Sequence, residues 1–313
     1  LNGEGDLFGE IKSIRKSKPI TATSMDGVTD NVKEHFKQKY EALYNSANDG
    51  LELLQVEAET EAKVCQFSLQ DVAKVTPDII KEAAHKLKSG KSDPVFSFSS
   101  DCFKNATDTV YDLLSTIIQS FLIHGHITNI LMLATLVPII KDKLGSINLS
   151  KNYRSIAISS IVLKLIDWVF IILYGVKFGL NDFQFAYQAG CSTTMCTWAV
   201  LETVDWYLKN GSEVFTCAMD MTKAFDLTLH SLLFRKMARA GFPVIFIRLF
   251  IFIYKNQTAN VRWNSELSST FSMTNGCRQG AVLSAIAYCF YCEELFAILK
   301  RRRTGCWVLG NYH

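Results

Sequence analysis

Residues 217–226 read CAMDMTKAFD, and the reading of this stretch decides the fold. Val214, Thr216, Ala218 and Asp220 alternate here with Phe215, Cys217 and Met219. A period of two predicts a strand over 214–220 that delivers a carboxylate at its end, where the chain turns. Carboxylates so placed suit nucleotidyl transfer, in which two Mg2+ ions about 4 Å apart clamp the attacking and leaving oxygens. Magnesium takes one or two protein carboxylates and fills its shell with water and phosphate oxygens. A lone aspartate at a strand end is common, so Asp220 takes its meaning from the rest of the chain.

The 313 residues are 49% hydrophobic and 12% aromatic, enough to bury one large core or two modest ones. That is far from the composition of a disordered chain. A formal charge of +3 does not by itself argue for nucleic acid, so any basic surface has to be local. The sequence starts at Leu1 without a charged-then-apolar leader, and a piece of a longer reading frame is expected. Three stretches, 115–140, 161–176 and 242–254, look membrane-like. The first holds His124, Gly125 and His126, the second Lys164 and Asp167, and the third is short and contains Arg248. All three are expected as buried helices or strands, with no membrane partner. The nine cysteines form no repeat, and Cys289 and Cys292 lack the second pair of a zinc site. Reduced thiols in an intracellular protein follow, with nucleus and cytoplasm not distinguished.

Residues 1–70 are polar, with a basic run over 12–18, an acidic run over 57–61, and Phe36, Tyr40 and Tyr44 at helical spacing. A leading segment with one amphipathic helix is expected. Thr76-Pro77-Asp78 is a helix start, and the apolar face of Ile79, Ile80, Ala83, Ala84 and Leu87 should run to a stop at Gly90. Further helices are predicted over 106–123, 163–174, 193–208, 229–240 (closed by Gly241) and from about 281. Strands at 133–140 and near 153–160 make a hairpin with Lys141, Lys143, Lys151 and Arg154 about its loop. Short strands at 261–264 and 269–273 flank a turn. The division is a leading segment (1–70), a second unit (71–180) and a third (181–313).

Asp220-Met-Thr-Lys-Ala-Phe-Asp226 resembles the D-x-x-K-A-F-D motif of reverse transcriptases from non-LTR (LINE-type) retrotransposons. The resemblance implies that Asp220 and the carbonyl of Met221 bind Mg2+. Phe225 would lie against the sugar of the incoming nucleotide and exclude a 2′-hydroxyl, favouring dNTP over NTP. Residues 136–141 (LVPIIK) followed by Asn152-Tyr153-Arg154 resemble the family's fingers hairpin, with Ser155 where proline is usual. There Arg154, with Lys141 or Lys143, would embrace the triphosphate, as a planar guanidinium suits phosphate oxygens. Residues 275–284 (NGCRQGAVLS) resemble the Gln-Gly motif, placing Gln279 and Gly280 beside the nascent base pair; Ala285 replaces its proline. Residues 184–194 and 88–94 are similar to further family segments, so the likeness runs from about residue 30 to the end.

The implied fold is α+β, a right-hand polymerase fold: fingers (71–180) and an incomplete palm (181–313), an antiparallel sheet with packed helices, the thumb absent. Its partners would be an RNA template, a DNA primer and dNTP. The family completes its metal site with an aromatic-x-Asp-Asp hairpin, yet this sequence has no aspartate after Asp226. Its later acids are Glu266, Glu293 and Glu294, the last two expected to face solvent, and residues 305–313 read as a strand leading to the missing hairpin. Truncation before that motif, an exposed sheet edge, poor solubility and no polymerisation are the expectations. A non-catalytic nucleic-acid-binding remnant is the alternative.

Overall fold

The computed structural model describes residues 22, 24–46, 55, 59–60, 73–96, 98–221, 223–278, 280–302, 305–308 and 311–312. The basic run over 12–18 and most of the acidic run lie outside them.

The helices of two turns or more are α1 (Val32–Tyr44), α2 (Pro77–Lys86), α3 (Asp108–His124), α4 (Ile161–Tyr174), α5 (Thr193–Lys209), α6 (His230–Arg239), α7 (Val244–Lys255) and α8 (Leu283–Arg301). The larger sheet contains β1 (Leu133–Ile140), β2 (Tyr153–Ile158), β3 (Thr258–Trp263), β4 (Glu266–Leu267) and β5 (Phe271–Ser272). A separate pair is β6 (Trp307–Val308) and β7 (Asn311–Tyr312).

Local signals account for most of these boundaries. Thr76 Oγ1 accepts the amide of Ile79 at 3.4 Å, with Pro77 in the first turn of α2. That helix ends at Lys86 rather than running to Gly90, because Leu87 turns extended (ψ 143°) and sinks into the core. Past α6, Gly241 takes φ +71°, and Phe242 N–H donates to the Met237 carbonyl at 3.2 Å, a Schellman closure.

The hairpin forms as its alternation predicts, antiparallel from Thr135 opposite Ile158 to Ile140 opposite Tyr153. Asn152 locks its loop, with Nδ2 donating to the Asp142 carbonyl (2.8 Å) and Oδ1 accepting from the Asp142 amide (3.0 Å). The expected antiparallel sheet is nevertheless mixed, since β1 runs parallel to β3 from Leu133 opposite Thr258 to Leu136 opposite Val261. A long crossover carrying α4 to α7 separates β2 from β3, and such a crossover is what parallel neighbours require.

Two cores flank this sheet. On one face, Val32, Phe36, Tyr40 and Tyr44 fall four apart on α1 and pack against Leu136, Tyr153, Val261 and Phe271. The Phe36 ring lies 5.2 Å from Tyr153 and 5.1 Å from Trp263. The larger core joins α2, α3, α4, α6, α7 and α8 around Ile80, Leu122, Phe170 and Phe246. Much of the membrane-like runs packs into this core, though Ile130 and Val176 stay exposed, and among the described residues no helix is long and apolar enough to cross a membrane.

The decisive strand does not form. Residues 214–220 lie outside every helix and sheet, with Phe215 92% and Met219 75% exposed. A segment apolar on both faces needs a partner strand and cover on each side. Among the described residues none pairs with it. The preceding α5 buries none of its side chains, with Trp198 and Leu201 more than half exposed. Leaving one such side chain in water forgoes about 1.5–3 kcal/mol. The tail is also different from the single strand expected, because β6 and β7 fold back on each other.

Thiol reactivity reads out this arrangement. Iodoacetamide at pH 8 should modify exposed Cys217 and Cys102 quickly. Buried Cys277 and Cys289, whose thiols burial pushes up to about 12 and about 11, should stay unmodified under mass spectrometry. Protection of Cys217 to the level of Cys277 would mean that 214–220 is packed.

Candidate functional site

Four segments distant in sequence converge beside the sheet: the C-terminus of α1, the end of β2, a turn over 223–227, and the loop over 274–282. The turn closes through Asp226 N–H to the Lys223 carbonyl (2.9 Å), with Lys223 itself at φ +53°. The loop lies across this turn. Cys277 N–H donates to the Phe225 carbonyl (2.7 Å), Gly276 N–H to Thr228 (2.8 Å), and Asn275 Nδ2 to Asp226 (2.7 Å). His230 Nε2 donates to the Gly276 carbonyl from below at 2.7 Å.

Two glycines make this approach possible. At Gly276 (φ +90°) a Cβ would sit 2.8 Å from the Asp226 carbonyl oxygen. At Gly280 (φ +76°) it would sit 2.6 Å from the Ala157 carbonyl oxygen. Neither position accepts a side chain without displacing backbone, and both hold a left-handed conformation that glycine takes at no steric cost.

Between them Arg278 is buried. Its Nη2 pairs with Asp167 of α4, and the other Asp167 oxygen accepts Val282 N–H at 2.9 Å. Arg278 and Asp167 are 5% and 2% exposed, and Nε and Nη1 of the arginine have no hydrogen-bond partner among the described residues. Removing one member of such a pair strands the other charge, which costs about 3–5 kcal/mol. The loop is therefore fastened at both ends.

α1 contributes through Tyr44. Its hydroxyl donates to Asp226 Oδ1 at 3.0 Å and lies 3.3 Å from Ser155 Oγ, the residue standing where the family has proline. Burial first, then the Asp226 charge, pushes this hydroxyl far above its ordinary range, so it remains a donor. The Thr274 and Asn275 amides both donate to the Tyr44 carbonyl at 3.0 Å, so the loop also caps the helix end.

Phe225 is half-buried in an aromatic group, 4.5 Å from the Tyr288 ring and 6.4 Å edge-on from Tyr187. The Tyr288 hydroxyl reaches Met221 Sδ at 3.4 Å. Lys141, Lys143 and Arg154 are exposed on the hairpin, with Lys141 Nζ donating to the Lys151 carbonyl at 3.4 Å. Lys39 donates to Ser150 Oγ at 2.7 Å. Burial lowers the affinity of Lys39 for its proton; the Asp26 charge opposes this, and Lys141 and Lys223 add to it. Three ammonium groups therefore share one field near the turn. Gln279 lies outside the described residues.

The metal ligands do not assemble. Asp220 and Met221 are exposed, Asp226 is engaged by Tyr44, and among the described residues no three of His, Cys, Asp and Glu stand together. One free carboxylate is too few donors to fix a pair of Mg2+ ions. Glu294 is exposed and pairs with Lys236 at 3.2 Å, whose hydrogen bond and charge hold it below the usual carboxylate range. Glu293, expected to face solvent, is instead half-buried and accepts Asn181 N–H at 3.2 Å. Tyr44, Tyr288, Asp167, Lys39 and Lys223 were not anticipated as members of the site. Tyr44 did stand out as the third aromatic of a stripe, and Asp167 as a charge within an apolar run.

The glycine contact has a measurable cost. Gly276→Ala should destabilise by about 2 kcal/mol or more in urea unfolding, from left-handed strain plus the Asp226 clash. Gly90→Ala, also at positive φ but with nothing within 4 Å, should cost about 1 kcal/mol. Equal effects would show that the close approach is not made.

Residues 140–309 match the reverse transcriptase (RNA-dependent DNA polymerase) family. That match takes in the hairpin turn, the Phe225 turn and the Gly276–Gly280 loop, and it spans more than half of the 313 residues. Reverse transcriptases act on a nucleic-acid template and primer with dNTP and generally use divalent metal ions. With the same family match running through every segment of the site from β2 onward, this chain belongs to the reverse transcriptase family.

Proposed function

We propose that the chain comes from the RNA-directed DNA polymerase of a LINE-type retrotransposon, with fingers over 71–180 and part of the palm over 181–313. In this reading it holds an RNA template, a DNA primer and the incoming dNTP inside the cell. The observation that carries it is the fixing of Phe225. Its carbonyl is pinned by Cys277 and its ring is braced by Tyr288, beside the shared field of Lys39, Lys141 and Lys223. A braced ring gives a wall against which a deoxyribose fits and a 2′-hydroxyl collides. Arg154 and Lys143 are exposed on the hairpin to meet the triphosphate, and Gly280 borders the base pair.

These 313 residues do not complete the chemistry by themselves. Asp226 is held by Tyr44 and leaves Asp220 as the exposed carboxylate of the motif, so the charge developing on the attacking and leaving oxygens lacks its two-metal clamp. A second reading, supported by that incomplete donor set, keeps nucleic-acid binding and drops catalysis.

Two measurements test the proposal. In competition titrations the chain should prefer dNTP over NTP, and Phe225→Ala should narrow that preference by about tenfold. An unchanged ratio would refute the role of the ring. In primer extension on RNA with Mg2+ and dNTP, purified chain should give no product. Product that disappears in Asp220→Ala would contradict the stated inactivity.

A further inference from the structure

Behind the Gly280 loop lies a pocket of about 370 Å³, open at its mouth, where the end of α2, the turn after it and the start of α4 meet. Lys86, Lys88, Lys91 and Lys164 line it, with Trp168 and Gly280 in its walls. Four ammonium groups around one cavity repel each other unless an anion enters. The nearby carboxylates offset only part of this repulsion, since the charges of Asp167 and Asp93 act on Lys164 without an ion-pair contact among the described residues. Asp93 is saturated: Oδ1 accepts the amides of Val95 and Phe96, and Oδ2 accepts Ser160 Oγ and Ile161 N–H. Asp167 is committed to Arg278 and Val282. Lys86 pairs with Glu82 at 3.3 Å and stands over the Trp168 ring. Among the described residues Lys88, Lys91 and Lys164 have no carboxylate in ion-pair contact.

Lys164 is the informative member. It is half-buried in the first turn of α4 and makes no side-chain hydrogen bond among the described residues. Burial weakens its hold on a proton, and the charges of Arg278 and Lys91 add to this against Asp167 and Asp93. Behind it, Nε and Nη1 of buried Arg278 have no hydrogen-bond partner among the described residues. A solvated basic face would leave its lysines in water; this one holds Lys164 half-buried with no ion-pair contact among the described residues.

We propose that this pocket binds a backbone phosphate of the single-stranded template, with Lys164 as its inner contact and Lys88 and Lys91 at its mouth. The inference rests on the polymerase reading and deepens it, because it assigns a template contact to Lys164 and to two lysines of the 88–94 segment. Phosphate fits the chemistry, since a compact ammonium serves as a point charge for its oxygens. The volume exceeds that of one phosphate group, which leaves room for the adjoining sugar. Free inorganic phosphate has the same head-group chemistry, and the test separates the two.

The experiment measures fluorescence anisotropy of a labelled single-stranded RNA with the full 313-residue chain across a salt series. Lys164→Gln should weaken binding about tenfold and reduce the salt slope by about one. Lys164→Arg should recover most of the affinity. Lys177→Gln, an exposed charge outside the pocket, should bind like the parent. In a parallel arm without mutation, RNA should shield Lys164 from acetic anhydride, and inorganic phosphate at matched ionic strength should not. Shielding by phosphate but not by RNA would overturn the template assignment. Parent-like RNA binding by Lys164→Gln would overturn the pocket while leaving the polymerase reading standing. Absence of RNA binding by the parent chain would overturn both.

Discussion

The bare Cα of Gly276 against the carbonyl of Asp226 is the contact on which the rest of the site depends. It allows the loop over 274–282 to lie flat on the turn that carries Phe225, and three hydrogen bonds from Asn275, Gly276 and Cys277 then join them. With the loop in place, Arg278 reaches Asp167 inside the larger core, and Gly280 comes against β2. The same loop caps α1 through Tyr44, so helices and strands from four parts of the sequence share one fastening. A glycine is required there by geometry, since the approach leaves no volume for a methyl group.

Two halves of the site consequently differ in order. The side that carries Phe225 with Tyr288 and the glycine loop is tied to both cores. The side that would carry metal, 214–221, is exposed chain with its apolar residues in water. That contrast follows from where each gets its hydrogen bonds. Turn and loop, though distant in sequence, exchange theirs with each other, whereas a strand-like segment obtains its own only from a neighbouring strand.

The same distinction explains what was legible in the sequence. The hairpin of β1 and β2, the Thr76 cap and the Gly241 closure depend on residues a few positions apart, and each forms within a residue or two of its expected place. The strand over 214–220 was read from alternation alone, and alternation says nothing about whether a partner exists. Parallel pairing of β1 with β3 is set by a crossover of a hundred residues, beyond any local pattern. Tyr44 was visible as one ring of a helical stripe. Its hydroxyl acquires a second role only because Ser155 and Asp226 arrive from elsewhere. Asp167 was noticed as a charge that spoils a membrane span, and its actual partner lies 111 residues away. Pairings of this kind belong to the fold and leave no trace in spacing.

Photo-crosslinking with a photoreactive dNTP, followed by peptide mapping, tests the central claim most directly. The account predicts label on the peptides containing Phe225 and residues 276–280, with Lys141 or Arg154 as a second site, and faster loss of label to dNTP than to NTP competitor. Label confined to peptides away from the turn and the glycine loop, or displaced equally by both competitors, would contradict it.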